Sequence, residues 1–259
     1  MPPRRLVLAL LALPSAARSQ PEPTLPEPPG LLPWPAEPRL AFQPGAEALA
    51  AATAPLLPGA LAQVEAYHGF GFARPVLVRA FAEQAAFELH SGVRAGPLGV
   101  TIQHAVHLAP ALAGAQRRAL PRLLVHELAH LLLFQRLPAL ALASLPPWFL
   151  EGVAVDCSGG DGGVRTTPAQ AMAALRQGRH FQPQPAVLPF MQHQGASAFG
   201  LTTGEFYRQA ALFCAWLRQG NPAGWQALLA QLAGGAGLAE AFARALGTTL
   251  AAAFAAWRG

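Results

Sequence analysis

Residues 121–137 read PRLLVHELAHLLLFQRL, and residues 146–155 read PPWFLEGVAV. The first stretch opens on proline, which suits a helix's first turn because its missing N–H would have no intrahelical partner there. It is apolar nearly all round, which predicts a buried central helix. In such a helix His126-Glu127-Leu128-Ala129-His130 is out of place. Two imidazoles and a carboxylate among leucines would leave buried polar groups unpaired unless something satisfies them. Residues i and i+4 lie one above the other on a helix, so both imidazoles can reach one ion. Glu127 sits about 100° round the helix, near that ion but outside its coordination sphere. From there it can take a proton from a water the ion activates. The alternative is a helix with two core histidines and no ion.

A catalytic zinc ordinarily has three protein ligands and one open position. The metzincin pattern needs a third histidine six residues after the second, with a glycine between. Those positions hold Arg136 and Leu133, so that class is excluded. The other source is a glutamate on a following helix, and Glu151 stands 21 residues after His130. That interval can hold the end of the first helix, a turn at Ser144 to Pro147, and the return. Pro146 and Pro147 fix the entry, Trp148 and Phe149 anchor the second helix, and Gly152 is expected to admit the histidine helix closely. Taken alone, Glu151 would read as an acid favoured by the dipole at a helix N-terminus. Beside the paired histidines, the expected site is one Zn²⁺ held by His126, His130 and Glu151.

The rest of the chain supplies the frame. Of its 259 residues, 53% are hydrophobic and 12% charged, which excludes disorder of the whole chain. Two cysteines exclude a disulfide-stapled miniprotein. Residues 1–19, MPPRRLVLALLALPSAARS, have the arginines, short apolar run and small-residue end of a secretory signal peptide. The predicted location is therefore periplasmic or secreted. No apolar run reaches the roughly 20 residues of a spanning helix, so no membrane span is expected in the mature form. The net charge of +5 is largely the signal's: without Arg4, Arg5 and Arg18, fifteen basic residues face thirteen acidic ones. With no basic cluster and no lysine, nucleic-acid binding is not expected. Cys157 and Cys214 can form a disulfide in an oxidising compartment or stand as two buried thiols.

Residues 20–44 are proline-rich and read as an extended, weakly ordered leader, with Trp34 and Phe42 able to pin it to the body. Residues 45–258 form a single domain. Residues 46–67 read helical with a break at Pro55 and Pro58, residues 75–80 as a strand, and 83–89 as a short helix. Residues 99–108, GVTIQHAVHL, alternate with period two and read as one strand. This places Val100, Ile102, His104, Val106 and Leu108 on one side, and Thr101, Gln103, Ala105 and His107 on the other. Helices are expected at about 148–156, 204–219, 222–233, 237–246 and 248–257. Another opens at Thr167-Pro168, and Thr248 caps the last. The fold class is α+β, a small N-terminal β-sheet followed by a mainly helical C-terminal half.

H-E-L-A-H followed by P-x-W-x-x-E-G-x-A resembles the gluzincin zinc metallopeptidases, and is most similar to the peptidase MA-like domains of bacterial exported proteins. Residues 206–217, FYRQAALFCAWL, are similar to the helix those domains carry after the glutamate, and 245–257 to their final segment. The resemblance implies a thermolysin-like catalytic fold and hydrolysis of a peptide or protein substrate. It implies Glu127 as general base and then proton donor to the leaving amine. Tyr207 matches the tyrosine that donates to the oxyanion in aminopeptidase-like members; an interfacial core tyrosine is its ordinary alternative. It also implies an edge strand, here 99–108, that pairs with the substrate backbone. One departure stands out. Where many members have an acid four residues after the ligand glutamate, this chain has Val155, so Asp156 substitutes or the support of the histidines lies elsewhere.

Two rival readings keep the same residues: a zinc amidase acting on a non-peptide amide, and a catalytically inactive exported binding domain. The remaining histidines carry less. His104 is expected in the core, His68 and His107 at the surface, and His180 and His193 at the surface or bordering the cleft.

Overall fold

Short runs of branched residues build five strands, β1 (Leu32–Trp34), β2 (Glu37–Phe42), β3 (Leu77–Ala80), β4 (Gly99–Ile102) and β5 (Ala105–Leu108). A computed structural model describes residues 28–94, 96–102, 104–160, 165–184 and 194–259. The strands form one sheet in the order β1-β2-β3-β5-β4. The inner pairs, β2 with β3 and β3 with β5, are parallel, and the outer pairs are antiparallel. Parallel neighbours need a crossover. Between β2 and β3 it is α1 (Glu47–Thr53) and α2 (Leu57–His68), joined by a tight turn over Ala54–Leu56 where the prolines interrupt the helix. Between β3 and β4 lies α3 (Gln84–Ser91).

The C-terminal half is helical, with α4 (Leu120–Arg136), α5 (Ala139–Ser144), α6 (Pro147–Cys157), α7 (Pro168–Arg176), α8 (Thr203–Gly220), α9 (Pro222–Ala233), α10 (Leu238–Leu246) and α11 (Leu250–Arg258). The α+β expectation holds, a small sheet first and helices after. Proline opens α6, α7 and α9, and reciprocal caps at Thr167/Gln170 and Thr202/Glu205 start α7 and α8. The last helix is capped by Thr249 rather than Thr248; its side chain accepts from the Ala252 N–H. Among the described residues no single helix is long and apolar enough to cross a membrane.

Two other expectations need correction. The expected signal peptide 1–19 and the first part of the leader lie outside the described residues, but residues 32–42 form the edge strand β1 and its neighbour β2. Leu40 and Phe42 are buried, and Trp34 packs edge-on against Phe42 with ring centres 5.5 Å apart. Pro33 lies in an edge strand, and Pro38 lies before the stretch of β2 that pairs with β3, so neither removes a donor the inner ladder needs.

Residues 99–108 are two strands, not one. The chain reverses between Ile102 and Ala105, with His104 at φ +79°, where side-chain-bearing residues are uncommon. The sequence there has none of the Asn-Gly or Gly signals that announce such a turn. Reversal sets Thr101 opposite Val106 and Gly99 opposite Leu108 on the face that meets α4. Val100 and His107 share the other face, with Phe81 and Phe87. His107, expected at the surface, is therefore buried, and His104, expected in the core, stands half-buried at the turn. His68 is also fully buried, at the end of α2.

Two apolar cores result. The first lies between the sheet and α1, α2 and α4, and the second is gathered by α6 and α8 to α11 around Trp148, Phe149, Phe213 and Trp225. Helix α4 serves both: Leu124, Leu128 and Leu131 enter the first core, and Leu133 enters the second. Gly152 does admit a helix closely, but the helix is α8 and not the histidine helix. A β-carbon there would lie 2.8 Å from Cys214 Sγ and 2.9 Å from the Ala210 carbonyl oxygen. Cys157 and Cys214 are separate buried thiols.

Candidate metal centre

The helical repeat of α4 brings His126 and His130 to one side, with ring centres 4.8 Å apart and rings nearly perpendicular. Their Nε2 atoms lie 3.2 Å from each other. Glu151 comes from the second turn of α6, and its Oε2 is 3.5 Å from His126 Nε2 and 3.7 Å from His130 Nε2. The expected trio is thus brought together. Ligand atoms held at about 2.0–2.1 Å in a tetrahedron are about 3.3 Å apart, so the observed triangle could hold one metal ion. A second observation fits: Glu151 Oε2 is buried and has no hydrogen-bond partner among the described residues. Leaving a carboxylate oxygen so is costly unless a cation completes it.

The electrostatics follow from burial and close packing. Burial, helped by the neighbouring His130, holds His126 down at about 4. Burial also opposes a charge on His130, but the nearby Glu151 carboxylate outweighs this and raises His130 above 6.5. Burial likewise acts upward on Glu151, yet His130 and His126, with Tyr207 close by, keep its carboxyl below the usual range. Burial lifts Glu127 to about 7, against the opposing pull of His130 and a hydrogen bond from Thr101. Glu127 is nearly enclosed, at 6% exposure, beside the trio and not part of it.

Tyr207, from the first turns of α8, is half-buried beside the Glu151 carboxylate. Burial, with Glu151 and Glu127 nearby, pushes the phenol well above its ordinary value, so it stays protonated. Asp156 does not support the histidines. It accepts from Tyr67 Oη at 2.8 Å and from Arg218 Nε and Nη2 at 2.8 and 3.1 Å, tying α2, α6 and α8. His126 Nδ1 has no partner among the described residues.

Sequence reasoning missed Thr101 and Gly99. The Thr101 Oγ1 lies 2.7 Å from the Glu127 carbonyl oxygen and 2.9 Å from Glu127 Oε2. A β-carbon on Gly99 would sit 3.2 Å from Glu127 Cγ. Only the unannounced turn at His104 puts both residues on the α4 face. His180 packs on Phe254 and accepts from Arg258 at 2.9 Å, while His193 lies outside the described residues.

Compared with known proteins, the chain matches no family model, and no curated protein is similar to it. The likeness to gluzincins therefore rests on the two motifs and their spacing.

Proposed function

We propose that the protein is an exported zinc-dependent metallopeptidase that hydrolyses peptide bonds with Glu127 as general base. The observation that carries the reading is the unpartnered, buried Glu151 Oε2, set 3.5 and 3.7 Å from two imidazole nitrogens of another helix. Two imidazoles and one carboxylate are a donor set that suits zinc. Bound zinc supplies Lewis acidity, polarising a carbonyl and lowering the pKa of water from about 15.7 toward about 7.

The chain's own residues do the rest. Glu127, lifted to about 7 by burial, is matched to accept a proton from the attacking water near neutral pH and to return it to the leaving amine. Tyr207 keeps its proton and lies close to Glu151; its O–H is available to the charge that develops on the carbonyl oxygen. Strand β4 is a sheet edge beside α4, and an extended peptide can add to such an edge through its backbone. Export is supported by Arg4 and Arg5 ahead of the Leu6 to Leu13 run.

The test has two parts. Elemental analysis of wild type is expected to give one zinc per chain, with none retained by His130→Ala. Fluorogenic peptides and casein are then offered to the metal-loaded protein and to Glu127→Gln, which is expected to lose at least about a hundredfold in turnover while keeping its metal. Equal metal and equal, negligible turnover in both would mean a binding domain instead. Cleavage of cell-wall amides without cleavage of peptides would mean an amidase.

A further inference from the structure

Strand β4 touches the proposed base at two points that do not depend on each other. The Thr101 hydroxyl reaches both the carbonyl oxygen of Glu127, at 2.7 Å, and its carboxylate Oε2, at 2.9 Å. Thr101 is buried at 8% exposure, so water does not compete for the hydroxyl freely. Two positions along the strand, on the same face, Gly99 leaves the space that the Glu127 side chain fills. A β-carbon there would lie 3.2 Å from Glu127 Cγ and 3.2 Å from Leu123 Cδ2. One contact holds the carboxylate and the other keeps its path clear.

We infer that β4 is the positioning element of the general base, with Thr101 as the residue that fixes the Glu127 carboxylate and Gly99 as the residue that makes room for it. The inference rests on the reading of Glu127 as the base. A glutamate has three side-chain torsions, and a base acts only within hydrogen-bond reach of the proton it takes. The single Thr101 O–H is shared between the far end of that side chain and the carbonyl of the backbone it grows from, so strand and base share one frame. Among the described residues the same strand is the last in the sheet, so any peptide that pairs with its outer side is registered against the frame that holds the base. Thr101 acts through Glu127 and touches no reacting atom.

Thr101→Val keeps the shape and removes the hydroxyl, Thr101→Ser restores it, and Gly99→Ala intrudes on the base by another route. Each full-length variant is examined for zinc content, thermal midpoint, hydrolysis of a fluorogenic peptide, and affinity of the zinc-loaded protein for acetohydroxamic acid. The last readout needs no turnover, because a hydroxamate gives up a proton on binding a metal and a well-placed neighbouring base takes it. Zinc content is expected to be unchanged throughout. Thr101→Val is expected to lower kcat about tenfold with KM within about twofold, the loss of one hydrogen bond to a charged group. It is also expected to weaken the hydroxamate by about the same factor, with Thr101→Ser close to wild type. Gly99→Ala is expected to lower both as well.

If Thr101→Val matches wild type in turnover and hydroxamate affinity while Glu127→Gln does not, the positioning role is wrong and the peptidase reading stands. If peptides are not cleaved but hydroxamate affinity depends on Glu127 and on Thr101, with rescue by serine, the positioning role stands without a peptidase. If Glu127→Gln changes neither measurement, Glu127 is not the base and the inference falls with it.

Discussion

Glu151 and His130 hold each other in their charged forms, and this sets how the centre answers to pH. A metal ligand must be deprotonated, so a cation has to displace the proton that Glu151 helps to keep on His130. His130 lies above 6.5, so metal affinity is expected to fall as the pH drops, beginning above pH 6.5. Below that the decline should be about tenfold per pH unit. His126, held at about 4, adds no second proton to displace over that range. Competition with a chromophoric zinc chelator from about pH 5.5 to 8 tests this, and a pH-independent affinity would contradict it. Tyr207→Phe removes the hydroxyl beside Glu151. It is expected to weaken metal binding about tenfold in the same assay, with the fold unchanged. At this scale the trio was legible because metal-binding chemistry demands both residue type and spacing. Asp156 was not, because nothing in sequence announces that Tyr67 and Arg218, far apart along the chain, converge on its carboxylate.

The elements that carry the centre were readable for a related reason. Helix α4 has proline in its first turn and leucines on every side, and α6 begins at paired prolines. Their local signals and their burial agree. The β4–β5 reversal was hidden because period-two alternation runs on through Gln103 and His104 without a turn residue, and a slip of one position exchanges the two faces. That is why Thr101, read as facing away, touches Glu127. Strands β1 and β2 were hidden by their prolines, which the sheet accommodates outside its inner ladder. The close contact of α6 and α8 makes its own prediction. In Gly152→Ala the new methyl meets Cys214 Sγ and the Ala210 carbonyl, and the latter is backbone that cannot swing aside. The expected loss is about 1–3 kcal/mol, seen as a lower urea midpoint. Glu151 precedes Gly152, so a weaker metal affinity should accompany it.

At the scale of the molecule, the trio is carried by the two helices that serve both apolar cores, two of its members on α4 and the third on α6. An ion bound there stabilises the folded chain by mass action, about 2.7 kcal/mol when free metal is a hundred times Kd. Zinc is expected to raise the thermal midpoint, EDTA to reverse this, and His130→Ala to show neither response. Acid has a separate effect. Burial holds His68 at about 4 and His107 at about 3, below the 6.5 each would have when exposed. The unfolded chain therefore takes up protons below 6.5 that the folded chain refuses. Stability is full above 6.5 and is lost as the pH falls toward 4, by at most about 3 kcal/mol for each histidine at pH 4.5. Urea unfolding at pH 7.5 and 4.5 measures this, and equal midpoints would refute it.

Cys157 and Cys214 bear on how the protein is handled. Neither sulfur is joined to another, so the chain needs no oxidant to reach its shape, and material made in a reducing cytosol and stored with a phosphine reductant, which does not strip zinc as a dithiol does, is expected to be native. Both are shut away from solvent, and burial pushes both thiols above their ordinary range. Iodoacetamide will therefore leave them alone until the cores that enclose them open, the first for Cys157 and the second for Cys214. The two rates of alkylation then become separate clocks for those openings, readable by mass spectrometry without any substrate.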